Sequence, residues 1–283
     1  MSKLSIFSIY VSHASDKLIK KFSDRHKNEL GDKVYLINSS LIDIKQALFP
    51  DFEVINLGEN IGFAAANNVG ISSGLKQEPD FFLIINPDVL LPDGWLISIK
   101  TYLLDEQYKD VGIFTVPLLG YDIAGDKPSG LIDSLGIEHT WYGRWFDVFQ
   151  GRDKDVLSDD DQPYEVVSAC GALMLIRRSV ISELLADDAY VFNESYFMYK
   201  EDIELSIRVR ALGKKIMMVP APKAFHCRGW AKDRCASPYW ARKLSACNEL
   251  KMHLKFFWRF VPYSVVKNVY VRYFEPLILR WIS

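Results

Sequence analysis

The sequence predicts an α/β protein: a mixed, mostly parallel sheet flanked by helices, followed by a basic, mainly helical C-terminal extension. Three observations predict it. Short apolar runs alternate with polar, helix-compatible segments through the first half of the chain. One of these runs, DFFLIIN (80–86), is almost continuously apolar, as a central strand covered on both faces must be. The charge is also divided unevenly: from residue 221 onward there are 12 Lys+Arg against 3 Asp+Glu, and 22 against 33 before it.

The elements follow in order. LSIFSIYV (4–11) and KVYLI (33–37) read as strands with a charged helix between them, FEVINL (52–57) as a third strand, and NIGFAAANNVGISSGL (60–75) as a turn entering a helix. DFFLIIN is the fourth strand, and ligands of such sheets gather at the carboxyl ends of the strands. Asn86-Pro87-Asp88 stands at that end, where Pro87 removes a ladder donor and helps to stop the strand. Between about 120 and 165 the pattern loosens into loops with room for a hairpin, and the acidic LSDDDQ (157–162) reads as a solvated turn. VVSACGALMLIRRSVI (166–181) is a strand followed by a helix start, with Gly171 at close quarters. A further helix begins near Glu201-Asp202, where negative side chains suit the dipole, and ends at Gly213. KIMMVP (215–220) is a late strand leading to His226.

The balance of 49% hydrophobic and 25% charged residues permits a substantial core. The start, MSKLSIFSIYVSH, has too short an apolar run for a signal peptide, and no stretch reaches the length of a spanning helix. The four cysteines lack C-x-x-C spacing and read as reduced thiols of a cytosolic protein.

Four pieces require one explanation: the Gly/Ala/Asn-rich turn after strand three, Asn-Pro-Asp after strand four, Glu-Asp at a helix start, and the late histidine. In this order, GENIGFAAANNVGI (58–71), LIINPDVLLP, SACGALMLIRRSV (168–180) and FNESYFMYKEDIELSIRVRALGKKIMMVPAPKAFH (192–226) resemble glycosyltransferase family 2. The likeness is greatest to bacterial rhamnosyltransferases of O-antigen and related surface-polysaccharide biosynthesis, and it covers roughly residues 4 to 230. It implies the GT-A fold, a Rossmann-like nucleotide-sugar transferase, with residues 1–230 as catalytic domain and 231–283 as an extension meeting acceptor and membrane.

The chemistry accounts for the residue types. A departing nucleoside diphosphate needs its charge neutralised, which Mg²⁺ or Mn²⁺ does while using only one or two protein ligands. The resemblance assigns these to Asp88 and His226. Asn86 stands where the family's first carboxylate would be and contacts sugar or ribose. An acceptor hydroxyl also needs a base, and one carboxylate is sufficient. Asp202 matches the family's catalytic Asp, implying single displacement with inversion. Glu201 turns away and supports it, and Glu204 is a solvated helix position. Ser12, Asn38, Asn60, Gly62, Phe63 and Asn67 join Asn86 and Asp88 on the donor side. Asn38 takes the place of the family's base-reading Asp, and Ala64-Ala65-Ala66 departs from a more glycine-rich pattern. Gly171 and Ala172 lie under donor and acceptor. Trp141, Tyr142 and Trp145 either form a platform for an acceptor sugar or pack beneath their loop.

In the tail, Leu244, Cys247, Leu250, Leu254 and Phe257 share one helical face with lysines largely elsewhere. Such a segment lies on an anionic membrane surface or packs as a cap on the catalytic domain. Nothing here forms a nucleic-acid module. The resemblance implies a dTDP- or UDP-linked donor, dTDP-L-rhamnose foremost, and a polyprenyl-diphosphate-linked saccharide or polysaccharide acceptor. It places the protein in the cytoplasm, peripheral at the inner face of the membrane. UDP-galactofuranose or a UDP-hexose is the alternative donor, and a non-catalytic saccharide-binding relative the alternative class.

Overall fold

In the computed structural model, which describes residues 4–158, 162–227 and 238–277, the first half follows the apolar runs closely. Its elements are β1 (Ile6–Ser12), α1 (Asp16–His26), β2 (Lys33–Asn38), β3 (Glu53–Asn56), α2 (Gly62–Leu75), β4 (Phe81–Ile85), β5 (Val89–Leu90), α3 (Trp95–Leu103) and β6 (Val111–Thr115). The loosened stretch is more ordered than its pattern predicts, forming β7 (Leu118–Asp122), β8 (Lys127–Ser134), β9 (Ile137–His139) and β10 (Trp145–Asp147). Then come β11 (Tyr164–Glu165), β12 (Leu173–Arg177), α4 (Arg178–Asp188), α5 (Glu201–Ala211), β13 (Lys215–Met218) and β14 (Ala224–His226). The C-terminal arm is α6 (Tyr239–Phe256), α7 (Val261–Val269) and a π-helical turn over Tyr270–Phe274. The expected boundary at 230/231, part of LSDDDQ, and Cys235 lie outside the described residues.

The main sheet has the order β11-β13-β6-β12-β4-β1-β2-β3. β1, β2, β3 and β4 run parallel, as β13 does to β6, whereas β12 runs antiparallel to both β4 and β6. Strand alternation sends Tyr10, Leu36, Leu83 and Leu175 to one face, beside Trp95 and Ile99 of α3. Ile9, Tyr35, Ile84 and Met174 go to the other face, against Ala64 and Ile71 of α2, Val180 and Leu184 of α4, and Leu205 and Val209 of α5. Each such fully buried large side chain contributes about 1.5–3 kcal/mol.

A second sheet, ordered β5-β14-β7-β8, stands beyond the carboxyl end of β4. It is built from chain segments far apart in sequence, and it assembles one half of the site. Glu204, expected on a solvated face, is instead fully buried and ion-paired to Arg208 at 2.8 Å.

Candidate active site

β4 stops at Ile85, and the Val89 N–H donates to the Asn86 carbonyl (3.1 Å), closing a turn with Pro87 at its second position. β5 follows and pairs antiparallel with β14, bringing His226 opposite Val89. The Cys227 N–H donates to the Asp88 carbonyl at 2.9 Å. His226 Nε2 thereby lies 3.2 Å from Asp88 Oδ1. On its other side Nδ1 lies 2.7 Å from Asp133 Oδ2, carried by β8 across β7. His226 and Asp133 are buried, while the Asp88 side chain is 28% exposed. Burial alone pulls the imidazole down, but the hydrogen bonds and charges of Asp133 and Asp88 outweigh it and push it up to about 9. The ring therefore donates from both nitrogens, Nδ1–H to Asp133 and Nε2–H towards Asp88, and Nε2 becomes available to a cation once that proton leaves.

The opposite wall begins at Cys170-Gly171-Ala172. The Asn86 N–H donates to the Ala172 carbonyl (2.9 Å), tying this segment to the β4 turn. Asp202, in the first turn of α5, accepts the Gly171 N–H on Oδ2 (2.9 Å) and the Ile203 N–H on Oδ1 (2.8 Å). A Cβ on Gly171 would stand 3.1 Å from the Asp202 Cβ, so glycine allows this approach. Glu201 does not turn away from the cleft. It lines it, only 6% exposed, with Oε2 lacking a hydrogen-bond partner among the described residues. Burial raises both carboxyl groups, and the Asp202 charge raises Glu201 further, whereas the two N–H donors act on Asp202 in the opposite sense. The two N–H donors thus favour the ionised form at Asp202, whereas burial and the Asp202 charge work against it at Glu201.

Between these walls lies a cleft of about 690 Å³. Of the predicted residues, Asn60, Gly62, Phe63, Asn86, Gly171, Ala172, Glu201, Asp202 and His226 line it, joined by Pro87, whereas Asp88 stands beside His226 and is not part of the lining. Asn60 Oδ1 accepts the Gly62 N–H (3.1 Å) at the start of α2. Gly62 has φ +86°, and a Cβ there would stand 2.5 Å from the Phe197 ring.

Three residues expected on the donor side stand behind the cleft lining. Ser12, Asn38 and Asn67 are fully buried. Ser12 Oγ accepts the Ser15 N–H. The Asn38 amide donates to the Ile42 carbonyl and Asn56 Oδ1 while its oxygen accepts from Ser40, and Asn67 donates to the Phe63 carbonyl within its helix. Ser12 and Asn38 are paired neighbours on central strands, so their side chains are covered and brace the wall from behind. Asn38 therefore has no amide edge left to read a base. His13, Ser15 and Ser39 line the cleft there instead, with His13 Nδ1–H donating to the Ser39 carbonyl at 2.7 Å. Of the loop aromatics, Trp145 is buried with its Nε1–H on His253 Nε2 (3.1 Å), whereas Trp141 is 89% exposed.

Sequence reasoning missed Asp133 and Asp147, the latter lining the cleft from β10. For Asp133 a signal exists: in GLIDSLGI (130–137) the Asp is a lone charge within an apolar run, which calls for a buried partner.

His226 on one wall and Asp202 on the other face one cleft at the carboxyl end of a mixed α/β sheet. The chain has the GT-A fold of its solved neighbours and, as its curated relatives show, is a glycosyltransferase. No family model matches the chain. It is 25% identical over 247 residues to rhamnosyltransferase WbbL of Escherichia coli (strain K12), covering 78% of this chain and 83% of that protein. It is 25% identical over 235 residues to the low-salt glycan biosynthesis hexosyltransferase Agl10 of Haloferax volcanii, with 82% and 70% covered. An N-acetylglucosaminyl-diphospho-decaprenol L-rhamnosyltransferase of Mycobacterium tuberculosis is 26% identical over 208 residues, with 66% and 62% covered. Among solved structures, GalNAc-T7 with UDP, GalNAc and Mn²⁺ superposes with TM-score 0.58 at 15% identity, covering 89% of this chain. This chain spans about half, 48%, of that one. The mannosyltransferase PcManGT of Pyrobaculum calidifontis, with GDP-Man and Mn²⁺, gives 0.53 at 14% identity, with 98% and 72% covered.

Proposed function

We propose that this protein transfers a sugar from a nucleoside-diphosphate donor to an acceptor hydroxyl with inversion. The foremost donor is dTDP-L-rhamnose and the acceptor a polyprenyl-diphosphate-linked saccharide or growing polysaccharide. The observation that carries this reading is the Asp202 carboxylate, pinned by two backbone N–H groups in the cleft that His226, beside Asp88, also lines.

The acceptor hydroxyl would donate to Asp202. As its oxygen forms the bond to the anomeric carbon, the bond to the diphosphate breaks on the opposite face and the hydroxyl proton passes to the carboxylate. Gly171 and Ile203 N–H groups fix the carboxylate's orientation, so little reorganisation accompanies the step. The N–H donors at Asp202, which Glu201 lacks, favour the charge on Asp202. Asn60, Gly62, Phe63 and Asn86 form the donor wall.

The residues facing the diphosphate position fit a divalent cation. An imidazole nitrogen and a carboxylate oxygen stand 3.2 Å apart, with the ring oriented by Asp133. Among the described residues no group of three or more His, Cys, Asp or Glu could hold a metal. Asp88 and His226 would be the protein ligands, with the donor's oxygens completing the shell. When bound, Mg²⁺ or Mn²⁺ supplies charge neutralisation at the leaving diphosphate.

In this reading residues 1–230 carry catalysis, and the arm beyond them meets acceptor and membrane. The activities of the relatives, rhamnosyl transfer and, in one, a diphospho-decaprenol-linked substrate, support the same assignment. Asp202→Asn tests it: kcat is expected to fall about 10²–10⁴-fold, the range of general base catalysis. Donor binding followed by calorimetry should persist. Unchanged transfer would remove the mechanism, and full activity in excess EDTA would remove the role of Asp88 and His226.

A further inference from the structure

Three of the four residues preceding Glu201 have left-handed backbone although none is glycine: Phe197 at φ +52°, Tyr199 at +70° and Lys200 at +72°. Such conformations persist only where surrounding structure over-determines them. Met198, Tyr199 and Lys200 of this loop also line the cleft beside Asp202.

The restraint comes from the C-terminal arm. Asn248 of α6 is 5% exposed and directs its amide nitrogen at the carbonyls of Tyr196 (2.7 Å), Met198 (2.9 Å) and Tyr199 (2.9 Å). Two N–H bonds serve three acceptors, so one hydrogen is shared. Lys251, one turn further, donates to the Ser195 carbonyl at 3.1 Å and stands over the Tyr196 ring. From the other side the loop meets α2, whose Ala64 N–H donates to the Phe197 carbonyl at 3.2 Å. The segment delivering Asp202 to the Gly171 N–H is therefore gripped between the donor wall and the arm. A side chain that only filled space would not need donors here. Backbone carbonyls turned inward by left-handed residues do need them.

We propose that Asn248 is a positioning residue for transfer, acting through the 196–200 loop to hold Asp202 in place, so that the C-terminal arm is a working part of the active site. The proposal rests on the reading of Asp202 as the base.

The test uses the full-length chain carrying Asn248→Asp, which keeps size while replacing two donors with lone pairs facing three carbonyls. The expected result is a fall in kcat of at least about tenfold, with donor KM and nucleoside-diphosphate affinity within a factor of three, since Asp88, His226 and α2 are untouched. Amide hydrogen exchange over 197–203 should rise at least about tenfold while that of β4 and β12 stays at the wild-type level. Asn248→Ala, which removes the donors without adding charge, should show the same split to a smaller degree. Wild-type kcat or wild-type exchange of the loop in both variants overturns the proposal. So does loss of the folded state in both, which would make Asn248 a fold residue and not a clamp. Exchange is read without substrate, so a wild-type protein that transfers no sugar counts against the base assignment while the exchange result still decides the clamp.

Discussion

Asp133 shows how far a single buried side chain can govern the site. Its carboxylate has zero exposure and holds His226 Nδ1 at 2.7 Å, which leaves Nε2 no direction but that of Asp88. A carboxylate behind a metal-binding imidazole fixes the tautomer and raises ligand basicity, and its removal typically costs 10–100-fold in metal affinity. Asp133→Asn is therefore expected to weaken Mn²⁺ binding in the presence of nucleoside diphosphate by at least about tenfold, read by the paramagnetic signal of free Mn²⁺. Wild-type affinity would show that His226 is held well enough by β14 alone. The sequence places Asp88 and His226 at the ends of apolar strands, and the structure brings the two side chains together. Asp133 was not legible, because its role depends on β7 lying between β8 and β14, a tertiary arrangement with no local periodicity. Asn38 shows the converse. The side chain type fits base recognition, but pairing with Ser12 on a central strand commits the amide to its own loop.

At the scale of elements, the β1–β4 run and helices α2 and α5 were readable because burial imposes its period on the sequence. The arm was readable as helix but not in orientation. Its apolar stripe leaves a membrane-facing and a packed face both open; in the structure Asn248, Glu249 and His253 are buried while Leu254 is 63% exposed. Each inward polar group has a tertiary partner: loop carbonyls for Asn248, Lys267 for Glu249 and the Trp145 indole for His253. Hydropathy cannot foresee such partners. A buried histidine also ties α1 to the sheet. The Leu91 N–H donates to His26 Nδ1 (2.9 Å), so Nε2–H donates to the Tyr10 hydroxyl (2.8 Å). Burial pushes this imidazole down to about 4 from 6.5. Between those values the unfolded chain binds more protons, so stability rises with pH there. The contribution is whole above about pH 6.5 and is lost as pH falls towards about 4, amounting to on the order of 3 kcal/mol. His253, also pushed down to about 4 by burial, adds to the same slope. Melting temperatures of the wild type and His26→Gln across this window check the sign. The variant should be less stable at pH 7 and show a flatter acid limb, and an unchanged limb would mean that carboxylates alone set it.

Across the whole molecule, the division of charge and the exposed apolar side chains coincide on the C-terminal arm. Among the described residues no helix is long and apolar enough to cross a membrane. Yet Leu254, Trp258, Val266, Tyr273 and Phe274 are each more than half exposed on the arm, and Lys243, Lys255, Arg259 and Arg272 are exposed among them. Apolar side chains beside cations on a helical surface suit the headgroup region of an anionic bilayer, where each Lys or Arg contributes about 1 kcal/mol. An acceptor carried on a polyprenyl chain would be presented at that surface. The cleft is connected to it through α6, whose Ser245 reaches the cleft wall. The protein should therefore co-sediment with phosphatidylcholine vesicles containing phosphatidylglycerol far more than with phosphatidylcholine alone, and release as salt rises. Replacing Lys243 and Arg259 by Gln should weaken this by about 2 kcal/mol, roughly thirtyfold. Trp258→Ala should weaken it at every salt concentration, because its loss is apolar area and not charge. Transfer to a short, water-soluble acceptor should be unchanged in all three substitutions. Equal binding to neutral and anionic vesicles, or none to either, would assign the exposed surface to another partner and detach the arm's outer face from the acceptor.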